Sequence, residues 1–417
     1  MKNKKLLILG GKPIGSFDIV KYAKKKGIYT IVTDYLDVSQ SIAKQIADEH
    51  WNISTHDVTR LCKKINQTGV DAVFTGAHEP NIFKTLEICE ELGFHFYATK
   101  EQMRITSNKN LYKKLFSDFG MPIIPQYFVG KVQDFEERVV DEYPVIIKPI
   151  DGSSGFGVKI CRDKNELKTA ISNSAKHSRT SQVEKKISAP EITIFYIIKD
   201  SKIALSAMAD RETYSFKDGV IPLPVKYIFP SVYLKKYIET FNEKVIKSFE
   251  HIGLKNGMVF LQAFWEKDQC YIYDIGFRLT GTQEYNILSK VCGYNPLEML
   301  VDYALTGKMG DDESFFEKVE PFLHGKYASN VTFLMRPATI AEIEGVNEVE
   351  KINGVEKVVL NHQIGDEIPD AAEGTLVQVI VRVFLINNTL EELNNNISQI
   401  KRTIKVYDTN GDNVLII

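Results

Sequence analysis

Cysteine is scarce, and its spacing excludes more than its number does. Cys62, Cys89, Cys161, Cys270 and Cys292 are scattered through 417 residues, with no C-x-x-C pair and no Cys/His cluster at zinc spacing. A disulfide framework and a structural zinc module are thereby excluded, and an odd, sparse set suits a reducing cytosol. Long apolar runs are missing too. Residues 6–9 are too few for the core of a signal peptide. Residues 379–386, broken by Arg382, fall far short of the ~20 residues a membrane span needs. A cytoplasmic chain without a membrane partner is expected. Neither sign of charge is in excess: 25% of residues are charged and the formal net charge is -2. Nothing points to nucleic acid, so small anionic ligands must be held by local sites.

What is present is a rhythm. Lys5–Leu9 is an apolar strand closed by Gly10 and Gly11, residues 14–26 are helical in pattern, and residues 29–33 form a β-branched strand ending at Asp34. Residues 58–67, 70–74 and 82–92 continue as helix, strand, helix. This βαβαβα order implies an α/β fold with a parallel sheet covered by helices over residues 1–100. A second region, 101–310, opens with Thr99 and Gln102 as a capping box and turns mainly to strands. Polar residues 310–314 read as a linker. Residues 311–417 then read as a small α+β domain, with a second capping box at Thr389 and Glu392.

Three features carry chemistry. In the first, Lys148 interrupts the apolar strand 143–149, and a buried ammonium calls for an anionic partner. A loop follows of Gly152, Ser153, Ser154, Gly155 and Gly157, whose small residues let successive backbone N–H groups cradle phosphate. An edge lysine beside a plain turn gives the same pattern, and the G-x-x-x-x-G-K-[ST] loop is absent. In the second, a strand over 182–187, with Glu184 and Lys185, is followed by Glu191; it is open to reading as an adenine-facing edge or as a solvated charged strand. In the third, strand alternation puts Asp274, Gly276 and Arg278 on one face. An acid and a guanidinium there hold either a metal and a phosphoryl group or only each other.

Together, and in this order, these features resemble the ATP-grasp superfamily, which includes biotin carboxylase, carbamoyl-phosphate synthase large subunit, D-alanine–D-alanine ligase and the L-amino acid ligases. The resemblance covers most of the chain and implies a preceding α/β domain, an ATP-grasp core with a mobile lid over about 122–186, and a C-terminal domain. It implies ATP and Mg²⁺ as cofactors. Lys109 and Lys148 match the phosphate-contacting lysines, and Gly152 to Gly157 the lid loop. Glu184, Lys185 and Ile187 match the adenine hinge, and Glu191 the ribose-binding acid. The family's Glu-x-Asn-x-Arg strand matches Asp274-Ile275-Gly276-Phe277-Arg278, and its other metal glutamate falls on Gln262. Glycine at 276 removes one metal ligand and Gln262 replaces another. The implied reaction activates a small carboxylate as an acyl phosphate for attack by an amine, with Lys148 and Arg278 in the catalytic roles. Bicarbonate activation and a non-catalytic ATP-binding regulator are the alternatives, and a homodimer stays open.

Two geometric expectations complete the reading. Gln262 and Asp274 share a metal only if they oppose each other across a hairpin, and constant-sum pairing then demands an odd loop of three or five residues. Gly10-Gly11-Lys12-Pro13-Ile14-Gly15 does not fit G-x-G-x-x-G. That loop and the turn at residues 76–79 are expected to face the acceptor, with His78 either a base or a plain turn residue.

Overall fold

The computed structural model describes residues 3–135, 140, 142–149, 158–174, 180–216 and 222–416. The N-terminal sheet is parallel and contains β1 (Lys5–Leu9), β2 (Tyr29–Asp34), β3 (Glu49–Asn52) and β4 (Ala72–Phe74), in the order β3-β2-β1-β4. Strand order reverses between β1 and β4, where open α/β sheets bind ligands. The Gly10–Gly11 loop and the turn before the helix Glu79–Leu92 flank that point. Asp34 is committed to holding this loop. Its Oδ2 accepts from Gly11 N–H at 2.8 Å and Ser41 Oγ at 2.9 Å, and its Oδ1 pairs with buried Lys44 at 2.7 Å. It is thus not free to read a ribose.

A second sheet contains β5 (Gln126–Lys131), β6 (Val145–Pro149), β7 (Lys159–Cys161) and β8 (Thr180–Lys185), in the order β5-β8-β6-β7. Lys148 lies opposite Gln182, and Ile146 opposite Glu184. The loop Gly152, Ser153, Ser154, Gly155 and Gly157 lies outside the described residues.

The third sheet has eight strands. It contains β9 (Glu191–Lys199), β10 (Lys202–Tyr214), β11 (Leu223–Phe229), β12 (Gly257–Glu266) and β13 (Gln269–Gly276), and from the C-terminal region β14 (Tyr327–Leu334). Beyond β15 (Ala338–Glu344) come β16 (Val355–Leu360), and, past β17 (Glu367–Ile368), β18 (Val379–Asn387). The order is β13-β12-β9-β10-β11-β14-β18-β16, so the sheet runs unbroken across the polar stretch near Gly310, with Lys226 of β11 opposite Val331 of β14. Phe315, just beyond that stretch, is buried in the main core. A small sheet of β17, β15 and β19 (Lys405–Asp408) completes the chain.

The hairpin expectation was half right. Gln262 does oppose Asp274, but the loop is even: Glu266 pairs with Gln269 around Lys267 and Asp268. Both loop residues have positive φ, 50° and 58°, as a two-residue type I′ turn requires. An even loop alone would turn Gln262 away from Asp274. A β-bulge corrects the parity: the pairing passes from Ala263–Ile272 to Gln262–Asp274 and skips Tyr273.

Candidate nucleotide site

The site is built on one face of the eight-stranded sheet. Directly opposed residues of antiparallel strands share a face, so Asp274 of β13, Gln262 of β12 and Thr193 of β9 form a row across three strands. Glu191, two residues before Thr193, lies on the same face, as do Phe260 and Phe264 on either side of Gln262. All three groups in the row offer oxygen, and the buried Thr193 Oγ1 has no partner among the described residues. Such a hard-oxygen set with one carboxylate fits a magnesium ion that keeps several waters and shares substrate phosphates. No cluster of three His, Cys, Asp or Glu occurs among the described residues, so the ion would depend on the nucleotide for its remaining ligands. Burial pushes the Asp274 carboxyl up, against the opposing charges of Arg278 and Lys109.

The reason for Gly276 is visible across the strand. Phe260 opposes it, and a Cβ at 276 would overlap the Phe260 ring. The Arg278 guanidinium lies over that ring, 4.9 Å from its centre. It donates to the Leu279 carbonyl at 3.0 Å and stands 3.7 Å from Glu79, while its buried Nε has no partner among the described residues. An aromatic ring therefore occupies the space that a side chain at 276 would need. Gly276→Ala is expected to cost about 1–3 kcal/mol through overpacking. Urea unfolding checks this, and an unchanged midpoint would refute the tight contact.

Opposite the row, Lys148 pairs with the buried Glu184 at 2.5 Å. Lys113 meets the same carboxylate, and Gln126 donates to it at 2.9 Å. Lys113 escaped the sequence reading. It lies four residues after Lys109 on the helix Lys109–Asp118, the spacing that stacks two side chains on one face. Asn108 caps this helix and sets Lys109 at its first turn. Burial, reinforced by Lys148 and Lys109, lowers Lys113 to about 6. Lys148 falls to about 8 through burial and Lys109, with Asp274 opposing. One carboxylate offsets only one of the two ammonium groups, so desolvation and mutual repulsion prevail.

The hinge is shaped by two prolines. Lys185 N–H donates to the Pro125 carbonyl at 2.9 Å and Lys186 N–H to that of Pro144 at 3.0 Å. Neither proline has an N–H to return, so the Lys185 and Lys186 carbonyls gain no bond from them. Ile187 is buried, and its N–H has no hydrogen-bond partner among the described residues. The Lys185 side chain points elsewhere, to Glu142 at 3.0 Å. Glu191 is held by Arg211 and by the bulged Tyr273, whose hydroxyl donates to Oε2 at 2.7 Å. Phe264 packs on Tyr273 with ring centres 4.7 Å apart. The two halves of the site meet through Tyr112, which donates to the Tyr273 carbonyl at 2.7 Å. His78 caps the helix after β4, and burial lowers its pKa, with Arg278 and His56 adding to the shift and Asn81 opposing it.

This architecture has solved counterparts. An L-amino acid ligase from Bacillus licheniformis superposes with a TM-score of 0.79 at 16% identity, covering 98% of this chain and 100% of that one. A phosphoribosylglycinamide synthetase from Anaerococcus prevotii gives 0.75 at 19% identity, with 98% and 100% covered. The chain shares its fold with these two enzymes. More narrowly, residues 115–278 match the family model described as D-ala D-ala ligase C-terminus. A D-alanine–D-alanine ligase from Borreliella afzelii (strain PKo) is 30% identical over 230 residues, 48% of this chain and 61% of the relative. A formate-dependent phosphoribosylglycinamide formyltransferase from Sulfurisphaera tokodaii is 26% identical over 178 residues, 42% of this chain and 44% of the relative. The chain thus spans about three-fifths or less of the curated relatives it matches. No helix among the described residues is long and apolar enough to cross a membrane.

Proposed function

We propose that the chain is an ATP-dependent carboxylate–amine ligase that works with ATP and Mg²⁺. The observation that carries this reading is that Asp274, at the end of the Asp274–Gln262–Thr193 row, is within electrostatic reach of Lys148 and of Lys109, while Lys113 shares the Glu184 carboxylate with Lys148. Cations on one side and hard oxygens on the other suit a triphosphate with its metal ion.

In this reading Ile187 N–H and the Lys185 carbonyl read the adenine edge, and the Glu191 carboxylate holds the ribose hydroxyls. Lys109 and Lys148 grip the phosphates, and Gly152, Ser153, Ser154, Gly155 and Gly157 close over them as part of a lid. Asp274 and Gln262 would hold Mg²⁺, which would neutralise phosphate charge when bound. The substrate carboxylate oxygen attacks the γ-phosphorus while the bond to the β-phosphate oxygen breaks and ADP leaves. Arg278 stabilises the charge that moves. An amine nitrogen then attacks the acyl carbon, a C–N bond forms and phosphate departs. Positioning and electrostatics supply most of such a rate gain. Five buried, unbridged cysteines suit a cytoplasmic setting.

A second reading, an ATP-binding regulator without turnover, is favoured by one observation: the Phe260 ring fills the space that a side chain at 276 would need. A screen of amino acids and other small acids for acid-dependent ADP release separates the two. Release with at least one acid is expected. Tight ATP binding with no release from any acid would favour the regulator.

A further inference from the structure

The N-terminal domain carries a second concave site, built from residues that take no part in the nucleotide row. It lies at the C-terminal end of the edge strand β3, the end at which open α/β sheets take ligands. Asn52 and Ile53 form one wall. The helix Val58–Thr68 forms the other through Arg60, Lys63, Lys64 and Gln67, and the space they enclose is about 460 Å³. Helical spacing lines these four up. Residues 60, 63, 64 and 67 recur every three or four positions and share one face, while Val58, Leu61, Cys62 and Ile65 turn into the core on the other.

The solvated face of an ordinary surface helix mixes signs, with acids and bases three or four residues apart. This helix has three cations and no carboxylate. Arg60 and Lys64 stand at a like-charge spacing that disfavours the helix, and Arg60 lies in the first turn, where the helix dipole is positive. None of the three cations has an ion-pair partner among the described residues. Lys64 Nζ lies over the Trp51 ring, 4.7 Å from its centre. Glu49, on the same strand as Trp51, instead accepts from the indole N–H at 2.6 Å. The other wall adds a donor. Asn52 Oδ1 accepts from Lys44 at 3.0 Å, and the Asn52 amide nitrogen has no partner among the described residues. Three cations and two amides therefore line the cavity, with no carboxylate among them.

The bond from Lys44 to Asn52 also leads inward. The same ammonium pairs with Asp34 at 2.7 Å, and Asp34 holds the Gly11 N–H at 2.8 Å. Asn52 thus stands at the outer end of the buried network that sets the Gly10–Gly11 loop, which flanks the point where strand order reverses. We propose that this cavity is a regulatory site for a small polyanion bearing two phosphate groups, and that its occupancy is passed through Asn52, Lys44 and Asp34 to the Gly10–Gly11 loop. Two phosphates carry about -3 to -4 at neutral pH, which balances three cations. Arg60 offers a planar fork to one phosphate, and Lys63 with Lys64 offers charge to the other. The volume suits a ligand of sugar or nucleoside size. A ligand that draws on the Asn52 amide nitrogen fixes the side chain that shares Lys44 with Asp34. The site stands independently of the ligase reading, because none of its residues belongs to the nucleotide site.

The test uses the full chain saturated with Mg²⁺ and a non-hydrolysable ATP analogue, which removes the nucleotide site from the titration. Fructose 1,6-bisphosphate, inorganic phosphate, sulfate and fructose are titrated calorimetrically at constant ionic strength. The bisphosphate is expected to bind at least about tenfold more tightly than phosphate or sulfate, and fructose not at all. Lys63→Gln, at an exposed position, should weaken the bisphosphate by about three- to tenfold, and Arg60→Gln with Lys63→Gln and Lys64→Gln together by about 30-fold or more. The triple variant removes repulsion, so its urea midpoint should equal or exceed that of wild type. Amide hydrogen exchange reads the coupling. Bisphosphate should slow exchange at Gly11 by at least about threefold, and Asn52→Ala should abolish that change while keeping affinity within about fivefold. If the analogue fails to bind, the comparison of wild type with the triple variant still assigns the anion to this cavity. No bisphosphate binding by wild type, equal affinity in the triple variant, or sulfate binding as tightly as bisphosphate overturns the site. A lowered midpoint in the triple variant assigns the cations to the fold and overturns it too. Binding with no change at Gly11 overturns the regulatory role.

Discussion

Asp274→Asn is expected to lower acid-dependent ADP release by about a hundred- to a thousandfold, the loss seen when one group aimed at developing charge is removed. Asp274 is the sole carboxylate in its row, with the amide of Gln262 directly opposite and the hydroxyl of Thr193 beyond. Asparagine keeps the shape and an oxygen but loses the charge that fixes the ion. The same change should not unfold the protein. The Asp274 pKa is raised on folding, so its ionised form opposes folding at neutral pH, and a neutral isostere removes that cost. A denaturation midpoint equal to or above wild type is expected beside the lost activity. Gln262→Glu, which adds a second carboxylate across the hairpin, should be tolerated or should tighten Mg²⁺ binding. Full ADP release from Asp274→Asn would remove the metal assignment.

Lys148→Ala should weaken ATP binding by about a hundredfold, corresponding to about 3 kcal/mol for one aimed donor, and it should leave the fold intact. The fold survives because Glu184 retains Lys113 and Gln126 as partners. The pH dependence gives an independent readout. Lys113 and Lys148 are lowered to about 6 and about 8 in the free protein, and phosphates favour their charged forms. Binding therefore raises both pKa values and takes up protons between about pH 6 and the raised values. ATP affinity should fall as pH rises through this window, by up to about tenfold per unit for each proton taken up. Titration in two buffers of different ionisation heat measures the uptake, and Lys148→Ala should reduce it. Equal ATP affinity in mutant and wild type would sink the assignment.

Much of this was legible in residue order, because it depended on local rules. The apolar strand Val145–Pro149 and the capping boxes at Thr99 and Thr389 stand where pattern placed them. The opposition of Gln262 and Asp274 was expected through an odd loop, and the structure reaches it by an even loop and a bulge instead. The bulge at Tyr273 was not legible, since an extra residue leaves no mark when its neighbours are all strand formers. Strand β11 was not legible in residue order, because Pro224 sits inside it. The structure places that proline next to a shift of register between Glu212 and Thr213, where a strand tolerates the missing donor. Lys113 carried a usable signal, the i to i+4 spacing from Lys109. Phe260 carried none. Its role at Gly276 depends on a cross-strand contact, which exists only once register is set.

That contact makes the order of change matter. An asparagine placed at Gly276 alone meets the Phe260 ring and is penalised before it can offer an oxygen to anything. Trimming Phe260 first opens the space, at the expense of a cavity and of the surface beneath Arg278. Neither single substitution previews the pair, so their effects will be strongly non-additive. Any path that adds a side-chain ligand at 276 runs through Phe260 first, which makes that phenylalanine the gatekeeper of the strand's sequence space.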